Sequence, residues 1–131
     1  MASRSERTVV ATSNAPTAVG AYSQAIKANG MVFVSGQVPL DPKTMKVVEG
    51  DVSVQAKQSM ENIKAILTEA GTSMDRIVKS TILLDDIANF KAVNDVYAQY
   101  FPSNPPARAA YAVKALPLGV QVEIECIALA D

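Results

Sequence analysis

Between residues 51 and 70 the apolar side chains Ala56, Met60, Ile63, Leu67 and Ala70 recur every three or four positions. That period gathers them on one stripe of an α-helix, and a helix with one apolar stripe must lay it on a partner surface. Asp51 or Ser53 supplies a capping oxygen at its start, and Gly71 supplies a left-handed residue past its end. The flanks predict that the partner is a sheet. Apolar runs at Ser23–Ala28 and Met31–Ser35 are joined by Asn29-Gly30, the favoured two-residue hairpin turn. Arg7–Ala11 reads as a first strand, Ile77–Leu84 as a buried strand, and Ala107–Val113 and Gln121–Leu129 as two final strands joined across Lys114–Val120. Ser13–Gly20, with Pro16, reads as a loop, and Pro39–Thr44 interrupts the sheet. A second helix is predicted from Ile87 to about Phe101, capped by Asp85 or Asp86 and stopped by Pro102.

The order β-β-β-α-β-α-β-β predicts an α+β fold with two helices on one face of a mixed sheet. The other face stays rich in apolar residues and needs a cover, most simply another copy. At 131 residues the chain is expected to form a single domain over 1–131, with residues 1–6 as a disordered tail. No apolar run is long enough to span a bilayer. Arg4, Arg7, Ser3 and Ser5 faintly echo a mitochondrial presequence, but Glu6 and the brevity of the segment count against one. The expectation is therefore a cytoplasmic protein, with a mitochondrial address as the alternative.

The chain has no histidine and one cysteine, Cys126. Imidazole-based triads, HExxH zinc sites, cysteine-rich metal sites and disulfides within the chain are excluded. Acid–base chemistry falls to carboxylates, lysine, tyrosine or water. With 12 basic against 13 acidic residues and no basic run, the footprint of a nucleic-acid binder is missing.

The informative residues are polar ones in apolar company. Asn94 falls on the helical face that carries Ile87, Phe90, Tyr97 and Phe101. It is either satisfied by backbone or a donor aimed into a pocket. Arg108 stands alone among prolines and alanines and must find an anion elsewhere, either a protein carboxylate or the carboxylate or phosphate of a ligand. In the last strand Glu123 and Glu125 share one face, roughly 7 Å apart. They are either solvated acids on an edge strand or a general base whose like-charged neighbour raises its pKa. Cys126 points the other way and reads as a small core residue. Gly36, in Ser35-Gly36-Gln37, permits close approach by a ligand, and Tyr22 and Ser23 follow Gly20 in a loop.

Eight short segments occur in order: Asn-Ala-Pro at 14–16, Gly-Ala-Tyr-Ser-Gln-Ala at 20–25, Val-Ser-Gly-Gln-Val-Pro at 34–39, Gln-Ala-Lys-Gln-Ser-Met-Glu-Asn-Ile-Lys at 55–64, Val-Asn-Asp-Val-Tyr at 93–97, Pro-Ala-Arg at 106–108, Leu-Pro at 116–117 and Val-Glu-Ile-Glu at 122–125. Together they resemble the RidA/YjgF family of reactive-intermediate deaminases, and the stretch around Ala-Leu-Pro-Leu-Gly-Val looks most like its fungal members. The resemblance implies a chorismate-mutase-like fold and a homotrimer with sites between subunits. It implies cofactor-free and metal-free hydrolysis of 2-iminopropanoate and 2-iminobutanoate to 2-oxo acids and ammonia, downstream of pyridoxal-phosphate dehydratases. It assigns carboxylate binding to Arg108, water positioning to Glu123, and the pocket to Tyr22, Ser35, Gly36 and Asn94. Two positions depart from the pattern: Ala110 stands where many members have cysteine, and Gly-Ala-Tyr at 20–22 replaces Gly-Pro-Tyr. Rival readings are a non-enzymatic trimer that binds small metabolites, an RNA-directed translation inhibitor, and a chaperone-like holdase.

Overall fold

The computed structural model describes residues 6–130. The expected tail, apart from Glu6, lies outside the described residues. Six strands form one sheet: β1 (Arg7–Val10), β2 (Ala25–Ala28), β3 (Met31–Gln37), β4 (Ile77–Leu84), β5 (Ala107–Ala112) and β6 (Val122–Leu129). Their order across the sheet is β1-β2-β3-β6-β4-β5. Only β4 and β5 run parallel; the other neighbours are antiparallel. Asn29 and Gly30 both take positive φ, 51° and 73°, as the turn chemistry requires, and set the register Ala28↔Met31.

The long helix, α1 (Val52–Glu69), is capped by Asp51, whose carboxylate accepts from the Val54 N–H. Gly71, at φ 85°, closes its far end, where the Thr72 N–H reaches back to the Leu67 carbonyl. The five residues of the predicted stripe are all buried. The second helix is shorter than predicted. Asp86, not Asp85, caps a 3-10 turn at Ile87–Asn89, and the α-helix proper, α2, spans Phe90–Ala98. After Ala98 the N–H groups of Gln99, Tyr100 and Phe101 bond three residues back rather than four. The chain tightens ahead of Pro102, whose ring excludes an α conformation at the preceding residue.

Both helices pack on one sheet face. Met60, Ile63, Ile66 and Leu67 of α1 and Val93 of α2 meet Val32, Ile82, Leu84, Val122 and Ile124 in one core. Burying each such side chain contributes about 1.5–3 kcal/mol. The opposite face is open and carries an apolar row across the strands, with Val9, Ile26, Phe33 and Ile127 in register. Phe33 is 41% exposed and Val9 60%. No described helix is long and apolar enough to cross a membrane.

The last strand does not lie at an edge. β6 inserts between β3 and β4, so Glu123 and Glu125 project from the middle of the sheet.

Candidate functional site

Arg108 lies on β5 opposite Ser80 of β4, whose hydroxyl accepts from the Tyr97 phenol at 2.9 Å on the helix side. Its side chain therefore runs over α2. The guanidinium carbon stands 5.2 Å from the ring centroids of both Phe90 and Tyr97, and Nη1 donates to Asn94 Oδ1 at 2.6 Å. Asn94 is thus neither bonded to backbone nor a donor here; it is an acceptor that aims the arginine. The internal ion pair considered for Arg108 does not form among the described residues. Two aromatic faces and one amide hold the planar fork at the border of a cavity of about 370 Å³ that Asn94, Tyr97, Phe101, Pro105 and Pro106 also line. A fork held this way loses little conformational entropy on gripping a carboxylate.

Glu123 lies on the other side of the sheet. Along β6, Val122, Ile124, Cys126 and Ala128 are buried under the helices, and the alternating Glu123 and Glu125 face away. A cavity of about 780 Å³ brings together Tyr22, Ser35, Gly36, Glu123 and Glu125. The carboxylate of Glu123 lies directly against Gly36. A Cβ at position 36 would fall 2.9 Å from its carboxyl carbon and overlap Oε2 outright. What approaches Gly36 closely is therefore the protein's own carboxylate. Burial first, and the like charge of Glu125 second, push the Glu123 carboxyl above the usual carboxylate range. The β3 strand is irregular here, with a register shift between Val34 and Gln37 that turns Ser35-Gly36 toward Glu123.

The cavity walls are held by buried amides that the sequence reading did not single out. Gln24 accepts from the Thr12 N–H and donates to the Thr12, Ala15 and Pro16 carbonyls, fixing the loop that leads to Tyr22. Asn62 of α1 donates to the carbonyls of Val38 and Leu40, and Gln55 accepts from the Gln121 N–H just before β6. The available signal was their spacing: Gln55, Ser59 and Asn62 recur at helical intervals inside the apolar stripe. Ser35 donates its hydroxyl to the Ser23 carbonyl at 2.6 Å, and the Tyr22 phenol accepts from the Val19 N–H at 3.3 Å. Both hydroxyls therefore help to shape the loop.

Cys126 faces the helices, and burial followed by the Glu125 charge pushes its thiol up to about 12. Among the described residues no cluster of His, Cys, Asp and Glu could hold a metal ion.

The six candidate residues thus form two groups, Arg108 with Asn94 and Glu123 with Tyr22, Ser35 and Gly36. Arg108 aligns with Ser80 and Glu123 with Leu83, on strands either side of β4. That is a separation of roughly 10 Å across the sheet and roughly 10 Å along it, on opposite faces. Within one chain the two groups therefore line separate cavities.

Residues 12–130 match the Endoribonuclease L-PSP family. The chain is 47% identical over 123 residues to human 2-iminobutanoate/2-iminopropanoate deaminase, covering 94% of this chain and 90% of that protein. It is 50% identical over 127 residues to Reactive Intermediate Deaminase A, chloroplastic, of Arabidopsis thaliana, covering 97% of this chain and 68% of that protein. In three dimensions it is similar to E. coli TdcF with bound serine, at a TM-score of 0.90 and 39% identity, covering 95% of this chain and 99% of that one.

Proposed function

Given that the chain belongs to the Endoribonuclease L-PSP family, we propose that it hydrolyses small 2-imino acids to 2-oxo acids and ammonia, at sites built between copies. The observation that carries this reading is the Glu123 carboxylate, seated on Gly36 in a cavity and raised in proton affinity, with the anion-gripping Arg108 on the opposite face. The two deaminases above act, by name, on such imines or reactive intermediates. The apolar open face supports assembly, and a homotrimer lets Arg108 of one copy meet Glu123 of the next.

In that cleft Arg108 holds the substrate carboxylate by two parallel charge-assisted bonds, which fixes the imine carbon beside Glu123. Glu123 accepts a proton from water as its oxygen bonds to that carbon. The C=N π pair moves onto nitrogen, which takes that proton; Glu123 then takes the hydroxyl proton of the carbinolamine and passes it to nitrogen as the C–N bond breaks, the C=O bond forms and ammonia leaves. The imine is already electrophilic, so the residues supply orientation and proton transfer without a cofactor. Pyridoxal-phosphate dehydratases are the class of enzyme that releases such imines. The activity in the family's description is a less suitable fit, because Glu123 and Glu125 share the cavity and repel a phosphodiester.

The test couples the purified chain to a threonine dehydratase with semicarbazide as imine trap. The expected result is faster release of 2-oxobutanoate and less semicarbazone. Unchanged trapping at equimolar chain would overturn the reading in favour of a binding or holdase role.

The raised Glu123 pKa adds a signed expectation. A base must be deprotonated, so kcat/KM falls as pH drops through a value above that of an ordinary glutamate. Glu125→Gln removes the like charge and moves this acid limb to lower pH. A limb that stays in place in the pH–rate profile would show that Glu125 does not act on the base.

A further inference from the structure

Phe90, Asn94 and Tyr97, which hold Arg108, all ride on α2. That helix has nine residues, of which only Val93 and Tyr97 are buried. Apolar burial is non-directional, so two buried side chains leave a short helix room to slide or turn on the sheet. One directional bond opposes this. The Tyr97 phenol donates to the Ser80 hydroxyl at 2.9 Å, and both residues are buried, at 3% and 1% exposure. Ser80 breaks the pattern of its strand, because the other buried positions of β4 are Ile77, Ile82 and Leu84. A buried hydroxyl pair among apolar neighbours adds little net stability, since its bond mainly offsets its own desolvation. What the bond supplies is direction. Ser80 is the β4 partner of Arg108 in the β4–β5 register. The bond therefore ties α2 to the strand position beside the arginine that α2 supports. Phe101 packs on the same Tyr97 ring, with centroids 4.7 Å apart and planes tilted by 45°. Burial raises the phenol above its ordinary pKa, so it stays protonated and keeps donating.

Resting on the reading of Arg108 as the grip on the substrate carboxylate, we propose that Tyr97 and Ser80 are positioning residues that pin α2 to β4 and so hold the guanidinium plane ready for that carboxylate. Neither touches substrate. With the pin in place, Phe90, Asn94 and Tyr97 stand in one fixed relation to β5, and the fork has one orientation. Without it the three shift together, and the fork must be ordered anew each time a carboxylate binds, which weakens binding. The pin acts on the grip and leaves proton transfer at Glu123 alone.

The test uses Tyr97→Phe, Ser80→Ala and the two together. Phenylalanine keeps the ring under the guanidinium, so only the pin is lost. Calorimetry measures the Kd of 2-oxobutanoate, a carboxylate that does not turn over, beside melting temperature and imine kinetics. Each single variant is expected to bind 2-oxobutanoate about five- to tenfold more weakly, with KM for the imine raised alike and kcat within about twofold of wild type. Each also leaves one hydroxyl buried without its partner and melts at a lower temperature; the pair removes both hydroxyls and regains most of that loss. The weakened binding is expected to persist in the pair. Binding that recovers together with melting temperature would show that the hydroxyls serve the core alone and would overturn the proposal, as would unchanged binding in the single variants. A lysine at 108 has no plane to orient, so Tyr97→Phe should change Kd by less than about twofold in an Arg108→Lys background. An equal loss there overturns the proposal. A wild type that binds 2-oxobutanoate but consumes no imine removes the hydrolase reading, and calorimetry still decides the pin; a wild type that binds none overturns the pin, because there is then no grip to position.

Discussion

Arg108→Ala and Glu123→Gln are each expected to lower imine hydrolysis by at least about a hundredfold, and mixing the two inactive chains is expected to restore it in part. Arg108 leans on α2 from the helix side of the sheet, and Glu123 projects from the other side, so the proposed mechanism completes the site between copies. In a randomly mixed assembly of the proposed trimeric kind, each site needs an arginine from one parent and a glutamate from the other. The result is about a quarter of wild-type activity at equal proportions. The measurement is turnover after co-refolding or co-expression, against each variant alone. No recovery in verified mixed assemblies would refute a site shared between copies. The fold should survive both changes, because neither side chain is in the core. Unchanged circular dichroism checks this.

Gly36→Ala is expected to cost nearly as much as removing the carboxylate, about a hundredfold or more in kcat/KM. The new methyl group claims the volume of Glu123 Oε2. Gly36 does not take a positive φ, so alanine is allowed by the backbone, and the loss reports the displaced carboxylate alone. A double-mutant cycle separates this from general damage. In a Glu123→Gln background the same substitution should add little, since the group it displaces is already disabled. Independent, multiplicative losses would show that Gly36 serves the substrate directly.

Period and turn chemistry made most of the fold legible. The stripe from Ala56 to Ala70, the Asn29-Gly30 turn and the alternation along Val122–Leu129 each encode a local geometry in residues close in sequence. What they do not encode is lateral order. Nothing local to residues 122–129 says that the last strand inserts between β3 and β4, and a solvated edge remained an open reading until the pairing was seen. The site was legible as residue types and illegible as geometry. Arg108 lacked a visible partner because its partners, Phe90, Asn94 and Tyr97, come from α2. Gly36 suggested close approach, but only the packing names Glu123 as the group that approaches. Gln24 and Asn62 stand in the quoted segments without a role, because loop-bracing amides acquire meaning only once the cavity they border exists.

The lone thiol has a consequence for where such a protein can work. Cys126 is 3% exposed, faces the helices and ionises only near pH 12, while the groups assigned to chemistry are a guanidinium, a carboxylate, a phenol, a hydroxyl and an amide. None of them exchanges with disulfides or glutathione, and the thiolate that would do so is suppressed. The hydrolytic machinery is therefore blind to thiol–disulfide poise. Under the proposed mechanism turnover is expected to be the same under reducing and oxidising conditions, and thiol-modifying reagents should leave it untouched.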